Sequence, residues 1–218
     1  KPDKVYYFPA FVQTFATRTK KSKAQALENL ELSEGTFVVS HIGQIEWEES
    51  LADLMYGVKL AIDENTDLKR RLKIIFCGLG SYAESLAEII TTLGLNEYVK
   101  FIVPIRENLL NLLEASDCIF YGAIPARDRI DGDPYRVLIA MANNIPIIAN
   151  RTPLVEEYCD KHRIDFCFGS PHSIARAIIK SYKSKAIVNN IKQTYMSVVE
   201  VQYSQGIVQK AMRDVFMN

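Results

Sequence analysis

The chain has 218 residues, 48% of them apolar and 24% charged, values that match an ordinary globular core and exclude a disordered tail. Its 26 basic and 26 acidic side chains cancel, so no global field draws it to nucleic acid or to an anionic bilayer, and any anion site must be local. The longest uncharged apolar run, Val137 to Asn150, is shorter than a bilayer crossing and contains Asn143, Asn144 and Pro146, so no transmembrane segment is expected.

Residues 1–35 open without a start methionine or a signal-like apolar stretch and read as an interdomain linker or partial leading segment of a longer protein. Their basic run at Lys20, Lys21 and Lys23 lacks interleaved aromatics and reads as a solvated loop. Residues 36–200 read as one α/β domain. A first strand is predicted at Thr36 to Ile42, and the spacing of Leu51, Leu54, Met55, Val58 and Ile62 predicts a helix after it. A second strand, Lys73 to Cys77, feeds a helix marked by Leu86, Ile89, Ile90 and Leu93 and closed by Gly94. Val99 to Val103 is followed by the helical spacing of Leu109, Leu110 and Leu113, and Asp117 to Tyr121 by that of Val137, Leu138 and Met141, with Pro134 in the first turn. Strands at Ile145 to Ala149 and Asp165 to Phe168 complete a set of six, with Thr152 and Pro153 forming an N-cap signature between them.

The strands are short and apolar throughout, as expected where both faces of a sheet are covered. Strict alternation with helices predicts a doubly wound, Rossmann-like parallel sheet in the order three-two-one-four-five-six. Residues 201–218 form a closing amphipathic helix with Ile207, Val208, Ala211, Met212, Val215 and Phe216 on one face. Of the four cysteines, Cys77 and Cys118 fall in strands and read as buried thiols, which suits a reducing, cytoplasmic setting.

In an open parallel sheet the ligand cleft lies beyond the carboxyl ends of the strands. The first strand ends in His41-Ile42-Gly43-Gln44 and the second in Cys77-Gly78-Leu79-Gly80-Ser81, where glycine admits a close backbone approach and a helix N-terminus attracts phosphate. The Gly78 and Gly80 turn serves equally as a tight connection with no ligand, and it lacks the full dinucleotide fingerprint. Arg106, Tyr135 and Arg136 open later helices and complete the expected cleft with Asp131. Asp131 and Asp133 have metal-ligand spacing, but no metal site is expected there, and His41, His162 and His172 form no ligand constellation.

Asp131-Gly132, then Ala140-Met141-Ala142, then Pro146-Ile147-Ile148-Ala149 resemble the signature block of the retaining group 1 glycosyltransferases, which have the GT-B fold. Phe37 to Gly43, Ile74 to Gly80, Tyr98 to Val103, Leu109 to Tyr121 and the final helix fall in step with the same family. The resemblance implies the C-terminal, nucleotide-sugar-binding half of such an enzyme. That half would take a nucleoside diphosphate sugar as donor substrate with no other cofactor, and pass a hexose to a saccharide, lipid or protein acceptor. It implies an N-terminal GT-B domain as partner, absent from these residues, through which any peripheral membrane contact would run, and it implies that the chain alone is inactive. The family's paired glutamates fall on Asp131 and Ile139, the latter off the apolar stripe and expected to face the cleft. The family's diphosphate-binding Arg and Lys fall on Gln44 and Glu49, so Arg136, or Arg127 or Arg129, is expected to replace them. The lost charges also allow a non-catalytic module that kept the fold as a regulatory or assembly partner. A flavodoxin-like or dehydrogenase domain is a third reading, disfavoured by the incomplete fingerprint.

Overall fold

The computed structural model describes residues 22–122, 135–150, 152, 170–183 and 204–216. Five parallel strands, β1 (Phe37–Ile42), β2 (Leu72–Cys77), β3 (Val99–Ile102), β4 (Cys118–Tyr121) and β5 (Ile147–Ala149), lie in the order β3-β2-β1-β4-β5. This is the predicted order, less the strand expected at 165–168, which lies outside the described residues. Helices α1 (Lys23–Asn29), α2 (Leu51–Glu64), α3 (Thr66–Arg71), α4 (Ala83–Thr92), α5 (Arg106–Ala115), α6 (Tyr135–Ala142), α7 (Pro171–Lys183) and α8 (Gln205–Phe216), with 3-10 turns at Trp47–Glu49 and Asn96–Tyr98, complete the described elements.

The unbroken hydrophobicity of the strands has a direct cause, because alternate residues serve opposite faces of the sheet. On one face Val39, Ile74, Phe76, Cys118, Phe120 and Ile148 pack with the apolar stripes of α2, α4 and α7. On the other, Val38, Ile75 and Cys77 pack under α1 and α5, while Ile119, Tyr121, Ile147 and Ala149 pack with α6. Cys77 and Cys118 are both buried, and burial pushes the Cys77 thiol pKa up.

Helix α4 ends as predicted at Gly94, whose φ of +66° is the left-handed conformation glycine adopts without strain. Gly94 N donates to Thr91 O at 3.0 Å and Leu95 N to Ile90 O at 2.8 Å, the paired bonds of a Schellman cap. The basic run departs from expectation at Lys23, which opens α1. Ser22 Oγ caps that helix by accepting from Gln25 N at 3.2 Å, and Ala26, Leu27 and Leu30 are buried against Val38, Ile75 and Leu112. Lys23 Nζ lies 2.5 Å from Asp117 Oδ1, while the other oxygen of Asp117 accepts from Val38 N at 2.9 Å. Helix α3 was likewise not anticipated; Asn65 caps it by accepting from Leu68 N at 3.0 Å.

At the outer edge of the described sheet, β3 is four residues long, and Lys100 Nζ pairs with Glu31 Oε2 at 2.6 Å. Phe101 of β3 stacks on Phe76 of β2 with ring centroids 5.1 Å apart. In the final helix, Val208 is buried and Ile207 exposed. No described helix is long and apolar enough to cross a membrane.

Candidate functional site

β1 pairs with β2 on one side and β4 on the other, so the chain reverses its direction of travel across the sheet between β1 and β4. Such a reversal opens a crevice at the carboxyl edge. A cavity of about 440 Å³ lies at that edge, lined by Ile42, Gly43 and Gln44 after β1, Cys77, Gly78 and Leu79 after β2, and Pro104 and Leu109 beyond β3. Its walls are mainly apolar, with backbone polar groups from the glycine-bearing turns, a common composition for a small-molecule site. Leu79, Val103 and Ile105 stand exposed in the loops after β2 and β3, and Trp47 in the loop after β1.

The two turns beside the cavity are locked to each other. Gly43 N donates to Cys77 O at 3.1 Å, Ile45 N to Leu79 O at 3.0 Å and Tyr82 N to Ile45 O at 3.0 Å, which extends strand-like pairing past the strand ends. A Cβ on Gly78 would lie 1.7 Å from Gly43 O, and one on Gly80 would lie 2.0 Å from Ile45 O. These glycines were expected to let backbone approach a ligand. Each lets the neighbouring turn approach closely, and Gly78 also lines the cavity.

Residues 43–50 also carry two carboxylates to the cleft. Glu46 accepts from Ser81 N at 3.0 Å and from Ser81 Oγ at 2.5 Å, just before α4, and these bonds hold its pKa below the usual carboxylate range. Glu49 binds Arg136 through two parallel bonds, Nη1 to Oε2 and Nη2 to Oε1, each 2.8 Å. The guanidinium stands over the Tyr121 ring, 4.9 Å from its centroid, and against Gly43, where a Cβ would meet Arg136 Nη1 at 2.8 Å. Beneath this cluster His41 is fully buried and donates from Nε2 to Gln44 O at 3.0 Å. Burial, with a smaller contribution from the charge of Arg136, lowers its pKa to about 4.

The expected site residues divide accordingly. Gly43, Gln44 and Gly78 line the cavity, Gly80 packs on the adjoining turn, and Arg136 abuts Gly43. Arg106 and Tyr135 are exposed at the starts of α5 and α6. Ile139 is not among the residues that line this cavity. Residues Val137 through Ala142 are all buried, and Ile139 packs with the β4 and β5 side chains, one turn beyond the exposed Tyr135. Asp131, with Arg127 and Arg129, lies outside the described residues. Glu46 and Ser81 were not foreseen, and Glu49 was noted only as a missing cation.

Sheet order, crevice and glycine-bearing turns define a Rossmann-like domain of the kind that makes up one half of a GT-B fold. A family model described as glycosyl transferases group 1 matches residues 22–195, and the chain belongs to that family. Among solved structures it is similar to the C-terminal domain of LpcC, a glycosyl transferase group 1 family protein from Francisella tularensis. That match has a TM-score of 0.73 at 15% identity and covers 89% of this chain and 99% of the other. It is also similar to Anabaena Alr3699/HepE, solved in complex with UDP and glucose, with a TM-score of 0.80 at 15% identity over 95% of this chain and 55% of that one. Sucrose-phosphate synthase from Thermosynechococcus elongatus matches with a TM-score of 0.77 at 14% identity, over 96% of this chain and 51% of that one. The chain thus spans only about half the length of the latter two. No curated protein sequence matches it significantly.

Proposed function

We propose that this chain is the donor-binding domain of a retaining glycosyltransferase, holding a nucleoside diphosphate sugar whose hexose passes to a saccharide, lipid or protein acceptor. The observation that carries the reading is the apolar cavity at the carboxyl edge of β1 and β2, beside Arg136, in a member of the group 1 family. The bound UDP of the similar HepE structure supports it. In transfer, the bond from the anomeric carbon to the diphosphate oxygen breaks, the acceptor hydroxyl oxygen forms the new bond and gives its proton to the departing diphosphate, and positive charge must meet that diphosphate as it leaves. Arg136 is the side chain proposed for that role, with Asp131 at the sugar, and a cytoplasmic setting belongs to the same reading. Calorimetric titration with UDP, GDP and ADP tests it. Saturable binding of one of them is expected, and no binding of any up to about 1 mM would rule the reading out.

The chain by itself is expected to transfer no sugar, because it spans about half of its longer structural relatives and the acceptor side of the cleft would come from a further domain. A radiolabelled transfer assay comparing this chain with the full gene product checks this, and equal rates in the two would refute it. The non-catalytic reading draws on one observation, the neutralisation of Arg136 by Glu49. Under that reading the full gene product would also be inactive.

A further inference from the structure

The Arg136–Glu49 pair sits where the proposed donor must be held. Arg136 projects from the first turn of α6 to the crevice between β1 and β4, against Gly43, which is itself a wall of the cavity. The pair is not sealed in the core, since the two side chains keep 25% and 15% of their exposure, so an entering anion can reach the guanidinium. Glu49 is held there by backbone. A Cβ on Gly122 would lie 1.8 Å from Glu49 O, so the glycine after β4 makes room for this turn, and Glu49 N donates to Glu46 O at 3.1 Å. A preset carboxylate in the two-bond geometry meets the guanidinium fork as a phosphate would. Glu46 does the same at Ser81, so carboxylates of one short segment meet both the cation and the helix-start amide that a diphosphate would otherwise seek.

We infer that Glu49 is a built-in competitor of the donor diphosphate: a nucleoside diphosphate engages Arg136 by displacing the Glu49 carboxylate, and Glu49 sets how tightly the diphosphate is held. This rests on the donor-binding reading. It makes Glu49 a specificity-determining residue, because a ligand with no diphosphate gains nothing from the exchange, whereas a diphosphate brings enough charge to compete for the fork.

Titration calorimetry at fixed ionic strength, with UDP, GDP, ADP, inorganic pyrophosphate and the matching nucleosides, tests the inference on the wild type, Glu49→Gln, Arg136→Ala and the double variant. Glu49→Gln is expected to tighten diphosphate binding about tenfold while leaving the nucleosides unchanged. Arg136→Ala is expected to cost about tenfold in the Glu49→Gln background and about threefold or less in the wild type, the non-additivity of two groups sharing one partner. Diphosphate affinity in Glu49→Gln equal to or weaker than wild type overturns the inference. So does a gain that persists without Arg136, which would be a general charge effect. If nucleosides and diphosphates bind the wild type and Glu49→Gln alike, the inference fails and the donor-binding reading stands; if no variant binds any of them, both fail. Thermal melts establish that each variant is folded. Should Glu49→Gln unfold, Glu49→Asp carries the same test, because its shorter carboxylate cannot hold both bonds and should give a smaller gain of the same sign.

Discussion

Replacing Gly78 with alanine is expected to lower the unfolding free energy by about 3 kcal/mol, more than other glycine substitutions in this domain that lack a backbone neighbour. The new methyl would stand 1.7 Å from Gly43 O and 2.9 Å from Gly43 C, both backbone atoms, so no side chain can swing aside. The turns must separate, stretching the bonds from Gly43 N to Cys77 O and from Ile45 N to Leu79 O. Two other glycines calibrate the effect. Gly94 has nothing within 4 Å of a built Cβ but carries φ +66°, so Gly94→Ala should cost only about 1 kcal/mol of backbone strain. Gly206 has open space and lies in the first turn of α8, so Gly206→Ala should raise stability by about 0.5 kcal/mol. Urea unfolding midpoints at constant slope measure all three. A Gly78→Ala protein no less stable than Gly94→Ala would mean that the turns are not locked as described.

Acidification should weaken the fold through His41. Its pKa in the folded state is about 4 against an ordinary 6.5, chiefly because burial excludes the charged imidazole. Between those values the unfolded chain takes up a proton that the native state refuses, so stability falls as pH drops from 6.5 toward 4 and this group's contribution levels off below 4. The full loss corresponds to about 3 kcal/mol. Exposed carboxylates with lowered pKa, such as Glu46 and Glu31, act in the same direction at lower pH, so the decisive quantity is a difference. Wild type minus His41→Gln, followed by urea unfolding from pH 7 to pH 4, should show the wild type losing stability more steeply. Parallel curves would remove His41 as the source. The protonated ring would also face Arg136, so the acid-weakened state should open first at the turn around Gly43 and Gln44.

What could be read from the sequence follows from the range of the interactions involved. The β1, β2 and β4 segments announce themselves as continuous apolar runs because each alternate side chain has a hydrophobic layer waiting, and Gly94 ends α4 through bonds within six residues. Helix α1 carries a local signal in Ser22 followed by Gln25, a capping-box pattern set among lysines that read as a solvated loop. The stripe argument sets Ile139 apart from Val137, Leu138 and Met141, yet all four are buried, because side chains of β4 and β5 cover α6 beyond its first turn. The Arg136–Glu49 pair joins residues 87 apart, and nothing local to either position reveals it. Read alone, Glu49 was a lost cation and Arg136 a spare one; only the β1–β4 crossover shows that they cancel.

The outer edge of the described sheet bears on how the protein behaves in concentrated solution. A terminal strand offers unpaired backbone donors and acceptors to any other extended chain, and long flat edges invite fibrous self-association. β3 is only four residues long, which limits the ladder a second molecule could build, and it carries Lys100 tied to Glu31 in the segment after α1. A short edge strand that bears a lysine is among the devices by which native sheets limit edge-to-edge association, in a chain whose formal net charge of zero supplies no repulsion of its own.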